Sequence, residues 1–270
     1  MSCSSARACT AVGVFDNVPG RGTLAERWNW TAWSIQPIPV IHDNAALTGV
    51  SCTTTSTCTA AGFDLEATLG EAWDGTSWSV EPTPSPASLL GTHRLTAVSC
   101  TSPSACMAVG LTPKGLSSVT LAERWDGIRW TIVPTPSRGE SELSGVSCTW
   151  PSACIAVGRS FPEGVLSERW DGTRWSLLKT PNPVHLGDLF SVSCTSASAC
   201  IAVGAAADTL AEVWNGTAWS IDPTPPSPPS LETIGGRLDG VWCTSAASCT
   251  AVGSYFNSGG NELTLAEARS

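Results

Sequence analysis

The chain has 270 residues, of which only 14% are charged, and its net charge of −9 is spread without any cluster of Lys or Arg. A diffuse acidic balance argues against nucleic acid or an anionic membrane as partner, and no apolar run approaches the ~18 residues needed to span a bilayer. Length alone would allow one large or two ordinary domains, but self-similarity at a fixed period overrides that estimate.

Aligned to itself, the chain yields six copies of S/W-C-x5-C-x-A-x-G, with first cysteines at Cys3, Cys52, Cys100, Cys148, Cys194 and Cys243, a period of 46 to 49 residues. Each full copy breaks into four short apolar or alternating segments, A to D, divided by turn residues. That is how a four-stranded antiparallel sheet is written. Segment A is LTGVSC (47–52) and its equivalents, rich in small and β-branched residues. Segment B follows a five-residue turn of Ser, Thr and Pro and ends in CIAVG or a close variant.

Segment C is TLAERW in its commonest form and ends at Trp28, Trp73, Trp125, Trp170 or Trp214. Four copies then place Asp-Gly or Asn-Gly in the turn (Asp74-Gly75, Asp126-Gly127, Asp171-Gly172, Asn215-Gly216), a strong hairpin signal because both positions tolerate positive φ. The first copy has Asn29-Trp30 instead, so its turn is expected to be looser. Segment D carries Trp33, Trp78, Trp130, Trp175 or Trp219 and runs into prolines such as Pro82 and Pro84. Proline cannot donate to a ladder, which puts D at a sheet edge.

Between D and the next A lie 8 to 15 residues rich in Pro, Ser and Gly. Four-stranded units of this length, with long return loops, describe the blades of a β-propeller. A solenoid would want shorter repeats, and sandwiches would not give six similar units. The expected fold is therefore all-β, a six-bladed β-propeller forming one domain over 1–270. Its blades are approximately 1–40, 41–88, 89–137, 138–184, 185–230 and 231–270. The last copy stops after segment C, so its blade should have three strands, held to the first by face packing alone, unless the chain is truncated and its ring closes poorly.

All twelve cysteines fall into C-x5-C pairs: Cys3–Cys9, Cys52–Cys58, Cys100–Cys106, Cys148–Cys154, Cys194–Cys200 and Cys243–Cys249. Across an A–B hairpin such pairs stand nearly opposite, where a disulfide can form. Structural zinc prefers closer spacing and four ligands, and His42, His93 and His185 lie in D-to-A loops. Disulfides are expected, with reduced thiols and metal as the other readings. Paired, oxidised cysteines imply an extracellular or cell-surface protein. The chain nevertheless opens MSCSSARACTAVG, already inside the repeat and without a signal peptide, as a fragment or mature portion of something longer would.

Each copy carries a glutamate at one place in segment C: Glu26, Glu71, Glu123, Glu168, Glu212 and Glu267. The plain reading is a structural acceptor repeated with the fold. A sharper one comes from E-R-W-D-G-x-x-W, which is similar to the blade motif of the six-bladed fucose-binding lectins of fungi and bacteria. That resemblance covers about ten residues per blade and implies sugar contacts from Glu, Arg and Trp. One residue separates Glu from Trp here, where those lectins usually have two. Arginine follows Glu only at Arg27, Arg124 and Arg169, with Ala72, Val213 and Ala268 elsewhere. The implied sites are Glu26, Arg27 and Trp28; Glu123, Arg124 and Trp125; and Glu168, Arg169 and Trp170. The W-D-G turn loosely resembles the Asp-box of sialidase-type propellers, whose spacing it does not meet.

Ten tryptophans at two fixed positions read as filler between blades. Trp30, Trp150 and Trp242 fall outside that pattern, and Trp150, in an A–B turn, is the better candidate for an exposed contact. No G-x-S-x-G, H-E-x-x-H or phosphate loop occurs. A glycosidase would need carboxylates that break the repeat, for which Asp16, Asp43, Asp64, Glu66, Asp188, Asp208 and Asp239 are available. As a whole, the repeat resembles the SC-x5-C-x-AVG / ERWDGxxW propeller repeat proteins of actinobacteria and related soil bacteria.

The first expectation is thus a monomeric, non-enzymatic binding or scaffolding propeller with a protein or carbohydrate ligand, needing no cofactor, nucleic acid or membrane insertion. A lectin with sites at blades 1, 3 and 4 is the second, and a hydrolase at the mouth of the central channel the third.

Overall fold

Six antiparallel sheets follow one another along the chain, one per repeat, in a computed structural model that describes residues 1–17, 20–39, 41, 44–65, 67–86, 92–137, 139–181, 187–225 and 235–269. His42, Asp43, Glu66 and His185 lie outside the described residues. Blade 1 is β1 (Ser2–Ser5), β2 (Ala8–Asn17), β3 (Gly20–Trp28) and β4 (Trp33–Ile35). Blade 2 comprises β5 (Ala46–Thr54), β6 (Thr57–Asp64), β7 (Ala67–Trp73) and β8 (Trp78–Glu81), and blade 3 comprises β9 (Arg94–Ser102), β10 (Ala105–Lys114), β11 (Ser117–Trp125) and β12 (Trp130–Ile132). In blade 4 come β13 (Glu140–Trp150), β14 (Ala153–Phe161), β15 (Gly164–Trp170) and β16 (Trp175–Leu178). Blade 5 holds β17 (Asp188–Ser196), β18 (Ala199–Ala205), β19 (Thr209–Trp214) and β20 (Trp219–Ile221), and blade 6 only β21 (Arg237–Cys243), β22 (Cys249–Phe256) and β23 (Glu262–Arg269).

The protein is an all-β, six-bladed propeller with five four-stranded blades and a three-stranded last one, and the described residues contain no helix, so none long and apolar enough to cross a membrane. Two compact units carry three blades each, Met1–Thr135 and Pro136–Ser270. The short D strands form one edge of their sheets, as their prolines require.

Most of the repeated motif is used up by the sheets and the seams between neighbouring blades. Paired cysteines face each other in register, from Cys3↔Cys9 to Cys243↔Cys249, and all six pairs are disulfides with Cα–Cα separations of 3.9–4.0 Å. Within each unit the serine before the first cysteine reaches the next blade: Cys52 N donates to Ser2 Oγ, Cys100 N to Ser51 Oγ, Cys194 N to Ser147 Oγ and Cys243 N to Ser193 Oγ, all at 2.9–3.1 Å. The glycine that ends CxAVG is required because strand A bulges against it. A Cβ on Gly62 or Gly110 would collide with the carbonyl oxygen of Ala46 or Arg94.

The tryptophans pair within each of the first five blades, ring centroids 5.7–5.9 Å apart and tilted. In blades 3 to 5 the strand-C member pins the A–B turn of its own blade, Trp125, Trp170 and Trp214 donating at 3.2 Å to the carbonyls of Pro103, Pro151 and Ala197. Within each unit the strand-D member crosses the seam to the preceding blade, as when Trp219 Nε1 donates to Ser167 Oγ at 3.1 Å. Blade 6 has Arg269 at the strand-C position, opposite Cys249, and Arg269 reaches Asp222 of blade 5 at 3.4 Å.

Candidate functional site

In blades 2, 3 and 5 strand C aims its glutamate into the seam with the preceding blade. Glu71, Glu123, Glu168 and Glu212 are completely buried (0% exposed), while Glu26 and Glu267 are partly accessible. Removal from water penalises the charged carboxylate, and burial pushes Glu71 and Glu123 up to about 8 and Glu212 up to about 7. The hydroxyls of Thr23 and Thr68, each in strand C of the preceding blade, offset only part of this for Glu71 and Glu123. Burial also raises Glu267, with the Asp208 charge adding to it. The repeated glutamates of blades 2 and 3 are therefore largely uncharged groups of the interior at neutral pH, and that of blade 5 is about half so.

The residues singled out by the motif divide accordingly. Glu123, Glu168 and Trp170 are buried, Trp28, Trp125 and Arg124 partly so, and Arg169 is exposed. Arg27 turns toward the next blade, where its Nη2 donates to Thr55 O at 2.6 Å and its guanidinium lies 4.5 Å from the Trp73 ring centroid. Trp150 ends β13 opposite Ala153 and is 68% exposed. Asp16, Asp188 and Asp239, which break the repeat, are ion-paired with Arg21 (2.8 Å), Arg159 (3.7 Å) and Arg237 (3.1 Å). Asp208 Oδ1 accepts the N–H groups of Thr209 and Gly236 at 2.8 and 2.7 Å.

The first unit contains a cleft of about 1100 Å³ at the end of the blades where strand A begins and strand B ends. It is built from departures. Phe63 and Asp64 close β6, Leu65 follows with φ +49°, His93 and Arg94 lead into β9, and Arg21 and Val14 come from blade 1. Arg94 stacks on Phe63, 4.5 Å from guanidinium to ring centroid, and among the described residues its donors meet no acceptor. His93 is buried, its Nδ1 at 2.8 Å from Thr112 Oγ1, which fixes the loop carrying Arg94. Phe63, Leu65 and Val14 supply apolar surface, and Arg21, Arg94 and Asp64 supply charge.

Sequence reasoning named Asp64 and His93 for other reasons and missed Phe63, Arg94 and Arg21. The available signal was variation between the repeats: the position of Arg94 is Ala46, Glu142, Asp188 or Arg237 in other blades.

No protein-family model and no curated protein matches this chain. Solved structures do. A structure of YCF48 bound to D1 peptide is similar over 97% of this chain and 79% of its own, with TM-score 0.59 and 14% identity. An Aleuria aurantia lectin mutant in complex with Fucalpha1-6GlcNAc is similar over 96% and 91%, with TM-score 0.58 and 12% identity. YCF48 from Cyanidioschyzon merolae is similar over 94% and 78%, with TM-score 0.56 and 10% identity. At these identities the likeness is one of fold, and the six-bladed β-propeller of the Aleuria lectin is that fold.

Proposed function

We propose that this chain is a non-enzymatic binding propeller, monomeric and extracytoplasmic, and that its principal ligand is an extended polypeptide segment held in the cleft of the first unit. The observation that carries the reading is the cleft itself: about 1100 Å³, apolar along Phe63, Leu65 and Val14, with the Arg94 donors unengaged beside an aromatic ring. Small-molecule sites run to about 1,000 Å³, so this volume suits several residues of chain better than one sugar ring. An acidic side chain on the ligand would meet Arg94 in a charge-assisted bond. A neighbour of the same fold is described as bound to a peptide, and six disulfides suit an oxidising compartment.

Panning a random dodecapeptide library against the intact, oxidised chain tests this. The expected result is enrichment of peptides with an acidic and an apolar residue, whose affinity drops at least tenfold in Arg94→Ala and in Phe63→Ala. No enrichment, or binding indifferent to both changes, would reject the cleft.

The lectin reading remains a second proposal, favoured by the accessible Arg124 and Arg169. Its glutamates would have to leave the interior to reach a sugar, since Glu123 and Glu168 have no exposed surface. A glycan array decides it: binding that disappears when Arg27, Arg124 and Arg169 are changed to Ala supports the motif sites, and binding that persists removes them.

A further inference from the structure

Blade 1 departs from the repeat twice at the strand ends remote from the cleft, and the two departures touch. In blades 2 to 5 the C–D turn holds Gly75, Gly127, Gly172 or Gly216 at φ +94° to +101°. Each glycine faces a serine of the same blade's A–B turn, so closely that an added Cβ would stand 2.7–3.0 Å from the Cβ of Ser56, Ser104, Ser152 or Ser198. In blade 1 the glycine is Trp30 and the serine is Arg7. The guanidinium of Arg7 lies 4.9 Å from the Trp30 ring centroid.

The turn expected to loosen does not. Asn29 Oδ1 accepts from Thr31 N, Thr31 Oγ1 and Ala32 N at 3.1, 2.8 and 3.0 Å, the pattern Asp74 makes in blade 2. Trp30 consequently takes the left-handed conformation of the glycine it replaces, φ +84°. A bulky residue in that region is an outlier, strained by its own Cβ. Packing does not compensate, because Trp30 is 54% exposed. Strain maintained at an exposed aromatic, where four sister turns use glycine, points from conformation to function.

We infer that Arg7 and Trp30 form a second binding site, separate from the cleft, for an acidic oligosaccharide. The indole offers a stacking face for a pyranose ring. The guanidinium has no hydrogen-bond acceptor among the described residues and keeps its in-plane donors for a carboxylate. The two turns contribute Ser4, Ser5, Asn29 and Thr31 and no large aliphatic residue, a setting of hydroxyl and amide groups suited to a polyhydroxylated ligand. A protein-binding hot spot sits instead in a desolvated, well-packed pocket. In a chain of net charge −9, Arg7 supplies the local cation that an anionic ligand needs.

Titration calorimetry of the intact chain with penta-galacturonate is the test, alongside its methyl ester and a hexaglutamate peptide. The acidic oligosaccharide should bind, and the methyl ester at least tenfold more weakly. Arg7→Ser should weaken binding at least tenfold, Trp30→Gly should abolish it, and Trp30→Phe should keep it within a few fold. Because the Arg7→Ser/Trp30→Gly double variant restores the turn of blades 2 to 5, it should melt at a higher temperature than the native chain. Absence of binding, binding that survives Trp30→Gly, a lowered melting temperature of the double variant, or hexaglutamate binding as tightly as the uronate would each overturn the inference.

Discussion

Replacing Glu123 with Gln removes one ionisable group from the seam between blades 2 and 3 while keeping its shape. In the folded chain Glu123 is pushed up to about 8 by burial, against an ordinary 4.5. Between those values the folded form holds a proton that the unfolded form has released. Stability therefore falls as pH rises, by about 1.4 kcal/mol per pH unit for each such carboxyl. The sign follows from the direction of the shift: the contribution is fully present below 4.5 and lost as pH climbs through about 8. From pH 5 to pH 7 the native chain should lose roughly 2–3 kcal/mol on account of Glu123 alone, a large share of the roughly 5–15 kcal/mol that holds a domain. Glu123→Gln should be free of that loss. Guanidinium denaturation at pH 5, 6, 7 and 8, with disulfides intact, gives the two curves. They should diverge with pH in favour of the variant. Parallel curves would show that Glu123 is ionised in the fold and refute the reasoning.

Further outcomes follow from the same seams. Unfolding near pH 6 should release about three protons, from Glu71, Glu123 and Glu212, measurable by calorimetry in buffers of different ionisation heat. Trp219→Ala should cost about 3–5 kcal/mol, since Trp219 is buried and bonded to Ser167, whereas Trp33→Ala, at a position 43% exposed, should cost clearly less in the same denaturation series. Thiol titration of the unfolded, unreduced chain should find no free thiol, and the Cys100→Ala/Cys106→Ala double variant should lose about 2.4 kcal/mol, the closure entropy of a seven-residue loop. Ser51→Ala removes the acceptor of Cys100 N–H and should cost about 1 kcal/mol.

The blades were legible because each residue type answers to a local constraint. The Cys spacing fits a five-residue hairpin turn, Asp-Gly marks a turn that needs positive φ, and proline after segment D marks an edge. The glutamates were legible as a repeated feature of strand C, but their protonation was not, since it depends on how completely a neighbouring blade covers them. Nor was the cleft. Phe63, Arg94 and Arg21 come from three blades, and no local pattern announces that stacking brings them to one place. Trp30 shows a subtler failure. Losing glycine suggested a loose turn, yet Asn29 alone holds the turn as Asp74 does, so the misfit moved into the tryptophan's own backbone.

The buried carboxyls also change what kind of polyelectrolyte the molecule is. Composition assigns the chain −9, a figure that counts every glutamate as ionised. With Glu71 and Glu123 protonated below about 8 and Glu212 titrating near 7, these three carboxyls give the folded molecule about two fewer negative charges at neutral pH than its unfolded form. Folding thus raises the isoelectric point, and native and denatured chains of identical sequence separate by charge as well as by size in an electric field.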